Sequence, residues 1–365
     1  MMDALPASRS TSSPGLAPLA ERGRDRAVGL WLLACALMIF VMVILGGITR
    51  LSGSGLSIME WNPLMGALPP VSEAEWNRVF ALYREIAQYK HINAGMTLPE
   101  FQGIFWWEYS HRLWGRLIGL VFFLPFLFFL VKGYLRKAWV PRLAAIFLLG
   151  ALQGFVGWYM VASGFEERDS VSQYRLVLHL GMALIIYALI LWSAFDLLQP
   201  ALLEGPVRRA RALARHATLL LACIALELAL GGLVAGLHGG LIYNDFPYMN
   251  GDWVAPDVLA MSPWWINPTE NPVTAQFLHR CGALLVTGVL LALIWRGLRG
   301  ALPRPVPGRF ALLFLALILQ LALGISTLML VVPLPLAVTH QAGAVILLSA
   351  TLYALHGLRR IEAPR

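Results

Sequence analysis

Charged side chains are scarce in this sequence: only 13% of its 365 residues are Asp, Glu, Lys or Arg, and 58% are hydrophobic. Because soluble globular domains carry about 25% charged residues, this composition excludes an ordinary soluble protein and indicates a chain that crosses a membrane repeatedly. Cysteine is scarce too, and Cys35, Cys223 and Cys281 all lie inside apolar runs. Their positions exclude a disulfide framework and a C-x-x-C metal site.

An apolar run is also missing from residues 1–26, which are rich in Ser, Pro, Ala and Arg. Acidic residues interrupt this segment, so it matches neither a secretory signal peptide nor a mitochondrial transit peptide. We expect it to form a disordered cytoplasmic tail.

Eight apolar runs are each long enough to cross about 30 Å of hydrocarbon at about 1.5 Å per residue. They lie near residues 27–48, 110–131, 141–162, 173–195, 214–236, 276–296, 309–331 and 337–357. The predicted fold is an all-α polytopic membrane protein with the lipid bilayer as its solvent.

The basic residues indicate how these spans are oriented. Nineteen of the 28 Lys and Arg residues lie in the two tails and in the second–third, fourth–fifth and sixth–seventh connections, which share one side of the membrane. By the positive-inside rule, both termini are cytoplasmic. The net charge of +8 is therefore a topology signal, and we expect no nucleic-acid partner.

Two long connections, 49–109 and 237–275, lie on the outer side. In the first, SEAE at 72–75 matches a capping box and opens a segment with apolar residues at helical spacing. This pattern predicts an amphipathic helix on the outer surface, with a packing role rather than a chemical one.

The chain contains an internal duplication. GGITRLSGSGLSIMEW (46–61) matches GGLVAGLHGGLIYNDF (231–246) at an offset of 185, and EYSHRLWG (108–115) matches QFLHRCGA (276–283) at 168. LQGFVG (152–157) then matches LQLALG (319–324), and RLVLHLGMA (175–183) matches LAVTHQAGA (336–344). We therefore predict two tandem four-helix bundles, 27–196 and 214–358, joined by a cytoplasmic linker at 197–213 and related by a pseudo-two-fold axis along the membrane normal.

Four histidines occupy equivalent positions in the outer thirds of the even-numbered spans. They are His111, His179, His279 and His340. A single membrane histidine can simply join two helices by a hydrogen bond, but four at duplicated positions favour ligation. Zinc needs further N, S or O donors at each site, whereas haem needs only two axial imidazoles.

The residues around these histidines suit a planar, anionic macrocycle. Four residues after each histidine comes a small residue: Gly115, Ala183, Ala283 or Ala344. Arg112 and Arg280 directly follow two of the histidines, where propionates would emerge. Arg116 and Arg175 are further candidates, for which snorkelling to the membrane surface is a sufficient alternative.

Acidic residues distinguish the two predicted bundles. Glu108 precedes His111 by three residues, on the same helical face, and its counterpart in the second repeat is Gln276. An acid at this position suggests proton delivery or substrate positioning; the alternative is a carboxylate favoured by the helix dipole. Glu227, inside the fifth span, could serve a proton path or pair with a neighbour such as Gln320.

Together these features resemble the haem A synthase family of aerobic bacteria and mitochondria. The resemblance covers about residues 28–358 and rests on GGITRLSGSGLSI, FWWEYSHRLWGR, NDFPYMNG and the paired histidines. It implies that haem O binds between His111 and His179 beside Glu108, where a methyl group is oxidised to a formyl group by successive hydroxylations and loss of water. It also implies a resident haem B, held by His279 and His340 as the electron-transfer cofactor.

The resemblance further implies a role in cytochrome oxidase assembly, haem A as the product and haem O synthase as the supplier. We expect a bacterial inner-membrane location with the haem sites near the outer face. The electron donor and a homo-oligomeric state stay open. Some family members carry an outer-loop cysteine pair, which this sequence lacks.

Two other functions stay open on the sequence. One is a bis-haem b-type electron carrier, although a transmembrane carrier would place haems near both faces and all four histidines lie near one. The other is a haem-handling protein that releases its haem unchanged.

Overall fold

The computed structural model describes residues 16–61, 68–165, 169–199 and 203–363. Within these ranges the helices are α1 (Leu16–Leu51), α2 (Glu73–Tyr83), α3 (Ala87–His91), α4 (Leu98–Val131), α5 (Trp139–Ala162), α6 (Gln173–Leu198), α7 (Val207–Gly236), α8 (Asn267–Glu270), α9 (Pro272–Leu298), α10 (Val306–Met329) and α11 (Leu334–Arg359). Two short strands, β1 (Leu203–Glu204) and β2 (Ile361–Glu362), pair in parallel.

Eight of the described helices are long and apolar enough to cross a bilayer: α1, α4, α5, α6, α7, α9, α10 and α11. They coincide with the eight predicted spans and confirm the all-helical, multi-pass class. Several of them extend beyond the apolar runs. In particular, α4 begins at Leu98 rather than near residue 110, so the first outer connection is shorter than predicted.

The early start of α4 has a local cause. Thr97 caps the helix: its backbone N–H donates to the Glu100 carboxylate at 2.8 Å, which completes a capping box, and Pro99 lies in the first turn. Hydropathy marks only the length that lies in hydrocarbon, whereas capping residues decide where the helix begins. As a result Glu108 lies inside α4 and not at its entrance.

The predicted tail and linker also contain regular structure. Helix α1 begins at Leu16, inside the segment that we expected to be disordered, and residues 1–15 lie outside the described residues. The predicted linker carries β1, which pairs with β2 through Leu203 and Ile361. The domain limits themselves stay predictions.

The long helices form an inner and an outer set. Helices α1, α6, α7 and α11 contact one another at the centre: α1 packs on α6 and α11, and α7 packs on α6 and α11. In an apolar 18-residue stretch of α1 and of α11, 44% is buried, against 11% in the corresponding stretches of α4 and α5 at the periphery. Helices α4 and α5 accompany α1 and α6, while α9 and α10 accompany α7 and α11. The division into two four-helix units and the pseudo-two-fold relation between them stay predictions.

The predicted amphipathic helix is α2, and its capping box is confirmed. Ser72 accepts a hydrogen bond from the Glu75 backbone N–H, and the Glu75 side chain accepts one from the Ser72 backbone. Its apolar face packs on the amino-terminal turns of α4, with Trp76 4.8 Å from Phe105 and Phe80 4.9 Å from Phe101 between ring centroids. Helix α2 therefore covers the turns of α4 that precede Glu108.

Candidate functional site

In the amino-terminal half, His111 on α4 and His179 on α6 each lie against a glycine of a neighbouring helix. A Cβ atom added at Gly46 of α1 would lie 3.3 Å from Nε2 of His111, and one added at Gly157 of α5 would lie 3.0 Å from Cε1 of His179. Both distances are tighter than ordinary van der Waals contact, so any side chain at these glycines would press on the ring. The two imidazoles rest directly on helix backbone.

The carboxy-terminal half repeats this arrangement. A Cβ atom at Gly231 of α7 would lie 3.2 Å from Cε1 of His279, and one at Gly324 of α10 would lie 2.8 Å from Cε1 of His340. These glycines match the first pair at the sequence offsets of the duplication, 185 and 167. The ring centroids of His279 and His340 are 6.5 Å apart, with the planes at 80°.

The second glycine of each Gly-Gly pair lies against the other half of the molecule. A Cβ atom at Gly47 would lie 2.6 Å from Oε1 of Gln341, the residue after His340. Likewise, a Cβ atom at Gly232 would lie 2.9 Å from Cγ2 of Val177, two residues before His179. The Gly-Gly pairs of α1 and α7 therefore each contact a helix of the other half, close in sequence to His340 and His179.

Two equivalent glutamines accompany His179 and His340. Nε2 of Gln153 on α5 lies 3.0 Å from Nδ1 of His179 and donates to its carbonyl oxygen at 3.0 Å. Gln320 on α10, its counterpart, lies beside Gly343 of the helix that carries His340. The Oε1 atoms of both glutamines are buried without a hydrogen-bond partner in the described part of the chain. Such atoms are uncommon in folded proteins.

Glu108 is buried, with 2% of its surface exposed, and both of its oxygens accept hydrogen bonds. Oε2 accepts from the Ser57 hydroxyl at 2.8 Å and from the Ile58 backbone N–H at 2.9 Å. Oε1 accepts from Nε of Arg112 at 3.0 Å. Because a helix dipole acts within the first turn and α4 begins ten residues earlier, the dipole alternative for Glu108 is wrong. Its carboxylate is stabilised by Arg112 and by the outer loop.

Gln276 occupies the equivalent position on α9 and is equally buried. Its Nε2 donates to the carbonyl oxygen of Tyr243 at 2.9 Å, and its Oε1 accepts from Arg280 at 3.4 Å. Tyr243 corresponds to Ile58 at the offset of 185. Both halves therefore join the same loop position to the same helix position, through a carboxylate in one half and an amide in the other.

The two arginines predicted to meet propionates hold the outer loops against the helices. Arg112 donates to the carbonyl oxygen of Glu60 at 3.2 Å, and Arg280 donates to that of Asp245 at 3.1 Å. Glu60 and Asp245 are again equivalent residues. Each guanidinium group thus lies beside the connecting loop of its half, and its contact with a propionate stays a prediction.

The other two predicted arginines differ in their surroundings. Arg175 on α6 donates to the carbonyl oxygen of Tyr159 at 2.8 Å, and its guanidinium carbon lies 3.8 Å from the centroid of the Tyr159 ring. Arg116 lies on α4, one turn after Arg112, and is half-buried. Arg175 is thus engaged with α5, and the propionate role of both residues stays a prediction.

The sequence did not identify the partner of Glu227. Its Oε1 lies 2.9 Å from Nδ1 of His279, so the neighbour is a candidate ligand and not Gln320. A signal was present in the sequence: Glu227 precedes Gly231 by four residues and therefore shares the helix face that contacts His279.

These observations fit two haem groups, each with two axial imidazoles. A metal–imidazole bond is about 2 Å; two such bonds and two nitrogen-to-centroid distances of roughly 1 Å give about 6 Å, close to the 6.5 Å between the His279 and His340 rings. The glycines leave flat backbone behind the rings. Arg112 and Arg280 add positive charge beside the connecting loops.

Comparison with known proteins gives a consistent result. A family model named COX15-CtaA and described as a cytochrome oxidase assembly protein matches residues 29–352. The chain is 47% identical over 353 residues to the Heme A synthase of Rhodospirillum centenum, covering 97% of this chain and 94% of that protein. It is 47% identical over 338 residues to the Heme A synthase of Nitrosospira multiformis, covering 92% and 94%. For the Heme A synthase of Granulibacter bethesdensis the identity is 48% over 334 residues, covering 91% and 87%.

Proposed function

Because this chain belongs to the COX15-CtaA family of cytochrome oxidase assembly proteins, we propose that it is a haem A synthase. Two hydroxylations convert one methyl group of haem O to a geminal diol, and loss of one water leaves the formyl group of haem A. The overall change is a four-electron oxidation of the methyl carbon, with dioxygen as the proposed oxidant: in each hydroxylation one oxygen atom enters the C–H bond, and the other leaves as water with two protons and two electrons from the donor. The observation that carries this proposal is a buried carboxylate, Glu108, at the helix position where the second repeat has the amide of Gln276.

The amino-terminal half is the proposed reaction site. His111 and His179 bind the iron of the substrate, haem O, while Gly46 and Gly157 keep both imidazoles against helix backbone. Because each ring already contacts the backbone of a neighbouring helix, it cannot move further toward that helix, and the ring positions are set before the substrate enters. Pre-set positions of this kind reduce the cost of reaching the reactive geometry.

Glu108 is the proposed acid–base group of that half. The Ser57 hydroxyl donates to its Oε2 and so offers a route for a proton between the outer loop and the carboxylate. Arg112 holds Oε1 and keeps the side chain in a single position. A general acid or base placed this way contributes about 10²–10⁴-fold to a rate, and Gln276 cannot act in the same way because an amide does not titrate.

The carboxy-terminal half is the proposed electron-transfer site. His279 and His340 would hold a resident haem B, which supplies a one-electron carrier. Gly47 contacts Gln341 and Gly232 contacts Val177, so helices of the two halves pack closely next to His340 and His179. A short distance between the two haem sites would favour electron transfer between them.

The proposed setting follows from the eight membrane helices and the distribution of basic residues. Both termini face the cytoplasm of a bacterial inner membrane, and the haem sites lie near the outer face. Haem O synthase supplies the substrate from within the bilayer, and a separate electron donor completes the cycle. A second copy of the chain is a further candidate partner.

The test is chromatographic identification of haems extracted from the purified protein, made in cells that also produce haem O. We expect haem B together with haem A or its hydroxylated precursor. Haem B alone, despite available haem O, would favour an electron carrier. Haem O alone would favour a haem-handling protein without turnover.

A further inference from the structure

Glu227 is an acid inside a membrane helix whose role the proposed reaction does not explain. Ionisable residues at such positions are costly and usually functional. Its carboxylate lies on α7, with 17% of the side chain exposed, and Oε1 is 2.9 Å from Nδ1 of His279 on α9. Oε2 is buried and has no hydrogen-bond partner among the described residues. The carboxylate is thus directed at one histidine.

Two glycines make this approach possible. Gly231, one turn after Glu227, lets the His279 ring rest on α7, since a Cβ atom there would lie 3.2 Å from Cε1 of the ring. Gly282, three residues after His279, faces the carboxylate so closely that a Cβ atom there would overlap Oε2 of Glu227. The space that Glu227 occupies therefore exists only because residue 282 has no side chain.

The equivalent position of the first repeat has different chemistry. At the offset of 185 Glu227 corresponds to Met42, and at the offset of 168 Gly282 corresponds to Trp114. Met42 lies against Gly115, where a Cβ atom would be 3.2 Å from its Cε. A thioether accepts hydrogen bonds only weakly, so His111 has no carboxylate from α1 while His279 has one from α7.

We propose that Glu227 is a positioning residue for His279: it accepts a hydrogen bond from Nδ1–H, presents Nε2 to the resident haem iron, and lowers the reduction potential of that haem. The inference rests on the proposed function, because it requires haem B between His279 and His340. Nδ1–H does not point at the carboxylate in this structure, and a turn of the imidazole about its Cβ–Cγ bond aligns the two groups.

The chemical reason is general for metal-binding histidines. A histidine that ligates through one nitrogen usually donates its other N–H to a carboxylate, carbonyl or water, which fixes the tautomer and makes the ligand more basic. A more basic axial ligand stabilises the oxidised iron, and hydrogen bonding around the ligands is one of the means by which proteins set haem potentials. A lower potential at the resident haem would make it the better electron donor to the other half.

The test is a potentiometric titration of the resident haem in the purified full-length protein, with its haem B content measured first. Glu227→Gln keeps the size of the side chain and removes its charge, so we expect a more positive midpoint potential. Gly282→Ala keeps the charge but displaces the carboxylate, and we expect a shift of the same sign. Gly288→Ala, on the same helix with open space around residue 288, is the matched control and should leave the potential unchanged.

The outcomes separate the inference from the function beneath it. Wild-type protein without haem B would refute the cofactor assignment and the inference together. Haem B in wild type with unchanged potentials in Glu227→Gln and Gly282→Ala would refute the role of Glu227 alone. If Glu227→Gln does not retain haem, Gly282→Ala decides, and an additional change in its oxidised-haem electron paramagnetic resonance spectrum would support an altered axial imidazole.

Discussion

The carboxylate of Glu108 has more hydrogen-bond donors than an acid–base group strictly needs. Ser57, Ile58 and Arg112 all donate to it, and two of these residues belong to the outer loop. Glu108 therefore has two functions that can be separated by substitution: it holds a charge beside His111, and it fastens the loop to α4.

Glu108→Gln is expected to retain both haems and to reduce formyl production by about 10²-fold or more, because the amide oxygen can still accept from Ser57 and Ile58 but the side chain cannot exchange a proton. Haem content and the yield of haem A, measured on the same purified sample, test this expectation. The control is Glu60→Gln, which changes an acid of the same loop that pairs with Arg78 at the surface. Equal yields from wild type and Glu108→Gln would remove Glu108 from the mechanism.

At the scale of the helices, the glycines next to the four histidines are the points where one helix contacts a histidine ring of its neighbour. Alanine is favoured over glycine in a helix by about 1 kcal/mol, so a Gly→Ala change in open space should be harmless. At Gly324 the added methyl group would meet the His340 ring at 2.8 Å. Steric displacement of an axial ligand should then outweigh the gain in helix propensity.

We therefore expect Gly324→Ala to lose haem B or to shift its absorption spectrum, with the fold retained. Gly154→Ala, on α5 in open space, is the control and should keep the wild-type spectrum. Haem-to-protein ratio and the visible spectrum of the reduced protein are the measurements. Full haem occupancy with a normal spectrum in Gly324→Ala would show that the His340 ring does not rest on α10 when haem is bound.

The stability of the turn that follows Tyr243 is expected to depend on pH. Asp245 accepts from the backbone N–H groups of Asn250 at 2.9 Å and Gly251 at 3.0 Å, and these hydrogen bonds lower the pKa of its carboxyl group. Gly251 has φ +86°, a conformation that favours glycine. Because this pKa is lowered, the ionised carboxylate of Asp245 stabilises the turn at pH values above the usual pKa of an aspartate. This contribution is lost as the pH falls through the pKa of the folded state.

Hydrogen-exchange protection of Asn250 and Gly251 should accordingly persist at neutral pH and decrease only under acid conditions, below the usual range of a carboxyl group. Asp245→Asn should lower the protection at neutral pH as well, since the charge is absent at every pH. Asp252→Asn, in the same turn, is the control. Protection that is independent of both pH and Asp245 would show that the turn is held by other contacts.

For the whole molecule, Arg50 connects the two halves. It extends from the end of α1 to the last turn of α7, where Nη2 donates to the carbonyl oxygens of Ala235 at 3.1 Å and Gly236 at 3.4 Å. Nη2 also lies 3.1 Å from Nε2 of His238. Carbonyl groups at a helix end lack partners within the helix, so a cation from the other half satisfies them and complements the helix dipole.

Arg50→Ala is expected to reduce the stability of the assembled halves by about 1.5–3 kcal/mol, the range for hydrogen bonds to a charged group. Arg78→Ala removes an exposed ion pair and should cost no more than about 1 kcal/mol. Thermal unfolding in detergent, followed by tryptophan fluorescence, compares the two. Equal midpoints for both variants would show that Arg50 adds little to the contact between the halves.

The sequence by itself determined the membrane class, the eight spans, the four histidines and the asymmetry between Glu108 and Gln276. Hydropathy is a property of consecutive residues, and the duplication is visible as matching segments, so neither depends on how helices pack. The capping box at Ser72 was equally predictable because its partners are three residues apart.

Only the tertiary structure decided which groups meet across helices. Gly157 against His179, Glu227 against His279 and Arg50 against Ala235 each join different elements. Such contacts depend on the rotation and depth of every helix, which hydropathy leaves undefined because lipid solvates any apolar face. The start of α4 at Leu98 is different: its capping box, Thr97 with Glu100, is local and was readable in the sequence, although hydropathy alone does not mark it.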